Sequence, residues 1–234
     1  MKWEPLNNLN DIRITDRPVV VYGNSHPDHA DFLLTYLDNN EKTKYVKYRD
    51  ITPLECRAVL RILLSRYLCS PAGSLLINTT KSGKPYIKNN APFFNVSHSE
   101  FAYIIAISAL GRVGIDMEGL TGREDIFSLA DYSFSEGEKK VFFDKKNNPM
   151  GFLTIWTLKE ALLKATGTGL INDLAQLNVF EKLHQYALES TAFVCPNNET
   201  ASLVFRRSPC FLAEPRFFHL EHTIESLVSD LDVC

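Results

Sequence analysis

The stretch FLTIWTLKEALLKATG, residues 152–167, decides how the second half of this 234-residue sequence folds. Asn148 and Pro149 stand before it in the order of a helix cap followed by a first-turn proline. Gly167 and Gly169 stand at its end, where a helix commonly stops. The stretch therefore predicts one long helix.

Short strands and further helices are predicted around this helix. A second long helix is expected to begin at Thr52, because Thr52, Pro53 and Glu55 supply an N-cap, a first-turn proline and a capping-box acid. Its buried stripe is predicted to comprise Leu60, Leu63, Leu64, Tyr67 and Leu68, with Arg57 and Arg61 placed off it. Helices are also predicted at 28–37 and 223–233, and strands at 18–22, 75–78, 85–88, 93–96, 103–108, 113–120, 177–180, 191–195, 202–206 and 216–220. The mixture predicts an α+β fold with two lobes of similar size.

Composition and charge exclude several classes of protein. The sequence is 45% hydrophobic and 23% charged, as is usual for soluble globular proteins, and its net charge of −3 argues against nucleic-acid binding. No stretch reaches the roughly 20 apolar residues that a membrane helix needs, and the amino terminus lacks the apolar region of a signal peptide. The five cysteines are scattered without a CxxC pair and are expected to be reduced thiols. We therefore expect a cytoplasmic protein.

Two groups of polar residues point to chemistry. Asp116 and Glu118 lie two apart in a predicted strand, so both carboxylates face the same side. Trp156, Glu160 and Lys164 follow at intervals of four and line one stripe of the long helix. Each group has a simpler interpretation, as solvated acids on a strand edge or as an ordinary surface Glu–Lys pair. Together, the three carboxylates would suit Mg²⁺, which prefers oxygen ligands and substrate phosphates.

Two further segments have two interpretations each. In FNVSHS, residues 94–99, Ser97 and His98 end a predicted strand and fit either a plain turn or a binding loop. In FSEGE, residues 134–138, Ser135 and Glu138 fit a capping box, and a catalytic acid at Glu138 fits equally well. The residues alone leave both alternatives open.

Five motifs follow one another in a recognisable order. They are GKPY (83–86), FNVSHS (94–99), VGIDMEGL (113–120), FSEGE (134–138) and WTLKEALLKATGTGL (156–170). In order and spacing they resemble the 4'-phosphopantetheinyl transferases of the surfactin-synthetase-activating class, whose members are single chains with two lobes. The resemblance implies a pseudo-twofold pair of α+β lobes, residues 1–110 and 111–234, with the active site in the cleft between them. The first lobe would hold the nucleotide side of coenzyme A, and the second would hold the magnesium site.

The resemblance also implies which residues bind the metal and carry out the reaction. The Mg²⁺ ligands would be Asp116, Glu118 and Glu160. Lys164 would contact the coenzyme A phosphates, and Mg²⁺ and Lys164 would stabilise the developing charge. Glu160, as a metal ligand, and Lys164 would both count as catalytic residues. Glu138 matches an acid proposed in some members to help deprotonate the incoming serine, which would make it catalytic.

A second set of residues is implied to bind coenzyme A. Ser97 and His98 match a segment that contacts the 3'-phosphate and adenosine end, and Lys84 matches a lysine beside the adenine. The family also has basic residues around the 3'-phosphate. For this purpose we expect Lys42 and Arg57, with Lys47 as a third candidate.

The implied function is transfer of the 4'-phosphopantetheine group from coenzyme A to a serine hydroxyl of an apo carrier protein, which is an acyl, peptidyl or aryl carrier. Such carriers serve fatty acid, polyketide and nonribosomal peptide biosynthesis. Mg²⁺ would be the cofactor, coenzyme A the co-substrate and adenosine 3',5'-bisphosphate the product. The protein is expected to act as a monomer, without a nucleic-acid or membrane partner. Two alternatives are a metal-dependent phosphohydrolase acting on coenzyme A or a nucleotide, and a noncatalytic module that binds carrier proteins.

Overall fold

The computed structural model describes residues 1–26, 30–48, 51–88, 92–119, 126–144, 149–169, 173–206, 214–221 and 228. The helices in these ranges are α1 (Ala30–Leu34), α2 (Asn39–Tyr48), α3 (Ile51–Leu68), α4 (Ile126–Ser133), α5 (Glu136–Asp144), α6 (Pro149–Thr166) and α7 (Val179–Gln185). The strands are β1 (Trp3–Pro5), β2 (Val19–Asn24), β3 (Ile77–Thr79), β4 (Pro85–Ile87), β5 (Phe93–His98), β6 (Ala102–Ser108), β7 (Val113–Glu118), β8 (Glu189–Val194), β9 (Thr200–Phe205) and β10 (Arg216–Leu220). Helices and strands are mixed along the chain, so the predicted α+β class is confirmed.

The strands form three sheets. The largest has the order β1-β10-β2-β6-β5, in which β10 runs parallel to β1 and β2 and the other neighbours are antiparallel. The second sheet is antiparallel with the order β7-β9-β8, and β3 and β4 form a separate hairpin. Strand β10 comes from the last third of the chain yet pairs inside the sheet of the first half. A boundary at residue 110 would separate β10 from its neighbours, and the division into lobes 1–110 and 111–234 stays a proposal.

Strand β2 is buried on both faces. Val19 and Val21 pack into the apolar cluster that contains α3, whereas Val20 and Tyr22 pack against β7 and β9. On the far side of the second sheet, Val204 of β9 packs against α6. The layers therefore follow the order α3, five-stranded sheet, three-stranded sheet, α6. This sandwich explains the unbroken apolar sequence of β2, since neither face meets solvent.

The start of α7 corrects one prediction. Residues 177–180, predicted as a strand, contain the beginning of this helix instead. The side chain of Asn178 caps the helix by accepting hydrogen bonds from the backbone N–H groups of Phe180 and Glu181 at 3.0 and 3.3 Å. The strand prediction is wrong because the capping asparagine outweighs the strand preference of Val179 and Phe180. The other predicted strands overlap β2 to β10.

Helix α3 differs from its prediction at its first residues and on the face that carries Arg61. It begins at Ile51, and the hydroxyl of Thr52 donates to the carbonyl oxygen of Glu100 at 2.8 Å rather than capping the helix. Arg61, predicted to lie off the buried stripe, is completely buried. Its guanidinium contacts Asp38 and Glu41, each at 2.6 Å. The prediction for Arg61 is wrong because Asp38, which directly precedes α2, and Glu41 of α2 supply the two acids that a buried guanidinium requires.

Some predictions fall on residues that the structure does not describe. They are the helix cap at Asn148, the end of the strand at Leu120, and the helix at 223–233 apart from residue 228. Of the cysteines, Cys56, Cys69 and Cys195 are free thiols, as expected. Among the described helices, none has the length and apolar character needed to cross a bilayer.

Candidate active site

Strand β7 and helix α6 are in direct contact at Gly114. A Cβ atom on Gly114 would lie 2.0 Å from the carbonyl oxygen of Ala161 and 2.4 Å from the backbone nitrogen of Ala165. Only glycine permits this approach. Because side chains alternate along a strand, Asp116 and Glu118 leave β7 on the same face as Gly114, toward α6. The close contact therefore sets both acids of β7 against α6.

Gly114→Ala is expected to destabilise the protein by at least about 3 kcal/mol, because the atoms that would clash belong to the α6 backbone and cannot rotate away. Urea titration measures the change in the free energy of unfolding. Gly73→Ala is the matched control, since its Cβ would lie 3.6 Å from the nearest atom. A loss below about 1 kcal/mol for Gly114→Ala would contradict the close packing of α6 on β7.

Asp116 is the buried centre of the site. Its Oδ1 accepts hydrogen bonds from Lys164 Nζ at 2.7 Å and from Ser97 Oγ at 3.0 Å. Its Oδ2 is buried and has no hydrogen-bond partner among the residues that the structure describes. Burial raises the pKa of Asp116, against the opposing effect of the Lys164 ammonium. An unpaired buried oxygen of this kind is a ready ligand for a cation.

Two further carboxylates lie around Asp116. Glu160 is half-buried on α6, and its pKa is raised first by burial and then by the nearby carboxylates of Asp116 and Glu118. Glu118 accepts a hydrogen bond from the indole nitrogen of Trp156 at 3.4 Å. Among the described residues, no three acidic, histidine or cysteine side chains are close enough to hold a metal ion as they stand. The donors nevertheless fit Mg²⁺, because they are hard oxygens and one of them is buried without a partner.

The serine of the FNVSHS segment reaches this site, and the histidine lies outside it. Ser97 is buried and accepts a hydrogen bond from Lys164 Nζ at 3.2 Å, which links β5 to α6. His98, the last residue of β5, is exposed. Nearby, the side chain of Asn95 accepts a hydrogen bond from the backbone N–H of Ile115 at 2.8 Å. Asn95 therefore joins the two sheets beside the acids, a role that was not predicted although Asn95 lies within the FNVSHS motif.

A cavity of about 300 Å³ lies beside the acids. Its lining includes Ser82, Lys84, Asn95, Glu160, Lys164 and Gly167. The Lys84 ammonium is directed at the end of α6, where it donates to backbone carbonyl oxygens. Burial lowers the pKa of Lys84 to about 8. The structure thus places Lys84 in the wall of this cavity, with its charged group committed to the protein backbone.

The basic residues expected at the 3'-phosphate are not brought to this cavity. Arg57 is paired with Glu41 at 3.3 Å and lines a different cavity of about 360 Å³, together with Lys44 and Tyr45. The two cavities share no lining residue. Lys42 lies in α2 and lines neither cavity, while the side chain of Lys47 is outside the described part of the chain. Their role in binding coenzyme A stays a prediction.

Glu138 occupies a closed environment. Its carboxylate accepts hydrogen bonds from the backbone N–H of Ser135 and of Val179, each at 2.7 Å. Ser135 Oγ accepts from the backbone N–H of Glu138 at 3.4 Å, so the capping box is present. The Glu138 carboxylate also pairs with Lys159 Nζ at 2.5 Å, and both side chains are buried. These contacts favour the structural interpretation of Glu138 over the catalytic one, which stays untested.

Comparisons with known proteins point to one family. Residues 112–209 match the model of the 4'-phosphopantetheinyl transferase superfamily. The chain is 33% identical to a putative 4'-phosphopantetheinyl transferase of Synechocystis sp., over 57% of this chain and 56% of the relative. It is 32% identical to the 4'-phosphopantetheinyl transferase HetI of Nostoc sp., over 49% of this chain and 51% of the relative. A longer match, 24% identical, covers 80% of this chain and 75% of the 4'-phosphopantetheinyl transferase gsp of Aneurinibacillus migulanus.

These matches confirm the resemblance at the level of the superfamily. The chain spans about half the length of the first two relatives, and the family model matches the segment that holds β7, α6 and β9. This segment contains Asp116, Glu118, Glu160 and Lys164. The narrower assignment to the surfactin-synthetase-activating class stays a prediction.

Proposed function

We propose that this chain, similar over residues 112–209 to the 4'-phosphopantetheinyl transferase superfamily, is itself such a transferase. It would move the 4'-phosphopantetheine group of coenzyme A to a serine hydroxyl of an apo carrier protein. The products would be the holo carrier protein and adenosine 3',5'-bisphosphate. The acceptor would be an acyl, peptidyl or aryl carrier.

The main support for this proposal is the burial of Asp116 and the incomplete hydrogen bonding of its carboxylate. A buried carboxylate with one oxygen on Lys164 and the other unpaired destabilises a fold unless a ligand completes its contacts. Asp116, Glu118 and Glu160 would hold Mg²⁺, with water and substrate phosphate as the remaining ligands. The adjoining cavity has room for part of a nucleotide substrate, and Lys164 lines it. Glu160 lines the same wall, and an ammonium group beside carboxylates that can hold a metal ion suits transfer of a phosphorus-centred group.

The chemical step would proceed by direct displacement at phosphorus. The serine oxygen bonds to the β-phosphorus of coenzyme A, and the bond from this phosphorus to the bridging oxygen breaks, so that adenosine 3',5'-bisphosphate leaves with the electron pair. Lys164 offsets the charge that develops on the phosphate oxygens, and Ser97 helps to orient Lys164. Bound Mg²⁺ would supply further charge neutralisation. Glu160 is better placed than Glu138 to accept the hydroxyl proton, since it lines the cavity and Glu138 is enclosed.

Mg²⁺ is expected to raise the melting temperature more at about pH 7 than at about pH 5. Burial raises the pKa values of Asp116 and Glu160 above their ordinary 3.8 and 4.5. In the pH range between the ordinary and the raised values, the folded protein binds more protons than the unfolded chain, so without metal its stability falls as pH rises. A divalent cation binds the deprotonated carboxylates and removes this cost at neutral pH. Thermal melts in EDTA and in Mg²⁺ measure the difference, and an equal shift at both pH values would contradict the metal assignment.

The two alternatives are separated by one experiment. Coenzyme A consumption and adenosine 3',5'-bisphosphate release are measured with and without an apo carrier protein, in Mg²⁺ and in EDTA. Transfer predicts release only when carrier and Mg²⁺ are both present. Release without a carrier would favour the phosphohydrolase. Carrier binding without consumption of coenzyme A would favour the noncatalytic module, which has no need for the grouping of Asp116, Glu160 and Lys164.

A further inference from the structure

The ammonium group of Lys84 connects two elements of the site. Its Nζ donates to the carbonyl oxygens of Val113 and Ala165, each at 3.1 Å, and to that of Lys164. Lys164 and Ala165 lie in the last turn of α6, whose carbonyl groups have no partner within the helix. A cation at this position also meets the negative end of the helix dipole. Lys84 therefore binds the end of α6 and the first residue of β7 at the same time.

The β3–β4 hairpin that carries Lys84 makes a second contact with the same helix end. Ser82 Oγ donates to the carbonyl oxygen of Gly167 at 2.6 Å. The tip of the hairpin is itself fixed, because the backbone N–H of Lys84 donates to Thr80 Oγ1 at 3.0 Å and the backbone N–H of Thr80 donates to the Lys84 carbonyl at 2.9 Å. Two side chains of one turn, Lys84 and Ser82, thus bind carbonyl groups of Lys164, Ala165 and Gly167 at the end of α6.

Within the part of the chain that the structure describes, Lys84 has no acidic partner that would compete for its ammonium group. Among the described residues it forms no ion pair, and the polar contacts of its ammonium group are with the three backbone carbonyl groups. The ammonium group of Lys84 is therefore bound only to main-chain carbonyl groups among the described residues. One of these carbonyl groups belongs to Lys164, whose own ammonium group donates to Asp116. Release of the Lys84 contact would let the last turn of α6 fray and would loosen Lys164.

We propose that Lys84 is a positioning residue that clamps the C-terminal turn of α6 to β7 and to the β3–β4 hairpin, and so holds Lys164 against Asp116. This inference rests on the proposed function and deepens it. It differs from the direct contact with adenine that the sequence resemblance implies for the matching lysine. The two interpretations predict different kinetic results.

Lys84→Met tests the clamp, because Met keeps a flexible apolar side chain of similar length and removes all three donors. We expect kcat for transfer to fall by about 10- to 100-fold while KM for coenzyme A changes by less than about 3-fold. Hydrogen exchange of the amides in 163–169 is expected to become about 10-fold faster. Lys81→Met is the matched control, since Lys81 lies exposed at the tip of the same hairpin. Circular dichroism at the assay temperature verifies that each variant is folded.

The remaining outcomes decide between the two interpretations. In a Lys164→Met background, Lys84→Met is expected to lower the rate little further, because the clamp acts through Lys164. A raised KM with unchanged kcat and unchanged exchange would overturn the clamp and favour direct binding of coenzyme A. If the native chain showed no transfer activity, the proposed function would fail, and the exchange measurement alone would still confirm or overturn the clamp.

Discussion

Asp116→Asn is expected to lower the rate of phosphopantetheine transfer by about 10²- to 10³-fold. The substitution keeps the shape of the side chain and removes the negative charge that its buried, unpaired oxygen offers to a cation. It also deprives Lys164 of its anionic partner at 2.7 Å. Mg²⁺ affinity, measured by titration calorimetry without substrate, is expected to weaken at least about 10-fold. Initial rates at saturating coenzyme A measure the catalytic effect.

The melting temperature of Asp116→Asn distinguishes a loss of catalysis from damage to the fold. In EDTA, Asp116→Asn is expected to keep or raise the melting temperature, because a buried carboxylate with a raised pKa is costly without a metal. The Lys164 side chain is 29% exposed and can be solvated once its partner is gone. Asp31→Asn, an exposed position in α1, is the control for loss of a carboxylate. Normal turnover, or a rate loss matched by an equal loss of folded protein, would contradict the assignment.

Glu138→Gln is expected to cost about 3–5 kcal/mol of stability, because it leaves the Lys159 ammonium in the core without its counter-charge. Burial already lowers the pKa of Lys159, although the Glu138 carboxylate opposes this shift. Lys159 also donates to the carbonyl oxygen of Leu177 at 2.6 Å, and Glu138 accepts from the N–H of Val179. The pair thus ties the starts of α5 and α7 to the middle of α6, next to Glu160.

The double variant Glu138→Gln/Lys159→Met distinguishes a structural pair from a catalytic base. We expect it to lose less stability than the sum of the single variants, with a coupling of about 1–3 kcal/mol in urea titrations, and to keep part of its turnover. A catalytic base at Glu138 would give a different pattern, in which Glu138→Gln folds normally and neither variant turns over. Glu136→Gln, exposed in the same turn of α5, is the matched control.

The sequence predicted the parts of the site that depend on local periodicity. Period two places Asp116 and Glu118 on one face of β7, and the spacing of four places Trp156, Glu160 and Lys164 along α6. The structure brings these two elements together, because Lys164 donates a hydrogen bond to Asp116 and Trp156 donates one to Glu118. Local patterns also predicted α6 itself and the Ser135–Glu138 capping box.

Local sequence patterns could not predict the contacts between segments that lie far apart in the chain. The three carbonyl partners of Lys84 and the bond from Ile115 to Asn95 depend on how two sheets and a helix pack. The prediction for Arg61 was wrong because its two acidic partners, Asp38 and Glu41, lie at and just before the start of another helix. Lys159 carried a signal that was available, since it interrupts the buried positions of α6 and a buried lysine requires an acid. The acid is Glu138. Without this contact, the sequence could not show whether Glu138 is a structural capping residue or a catalytic acid.

Intact-mass spectrometry of an apo carrier protein incubated with this chain, coenzyme A and Mg²⁺ tests the central claim most directly. The proposed function predicts a mass increase of one phosphopantetheine group on the carrier serine, absent in EDTA and absent with Asp116→Asn over the same time. Fatty-acid, polyketide and peptide-synthetase carriers are assayed in parallel. No mass increase on any of these carriers, in a preparation that binds coenzyme A, would contradict the assignment of this chain as a phosphopantetheinyl transferase.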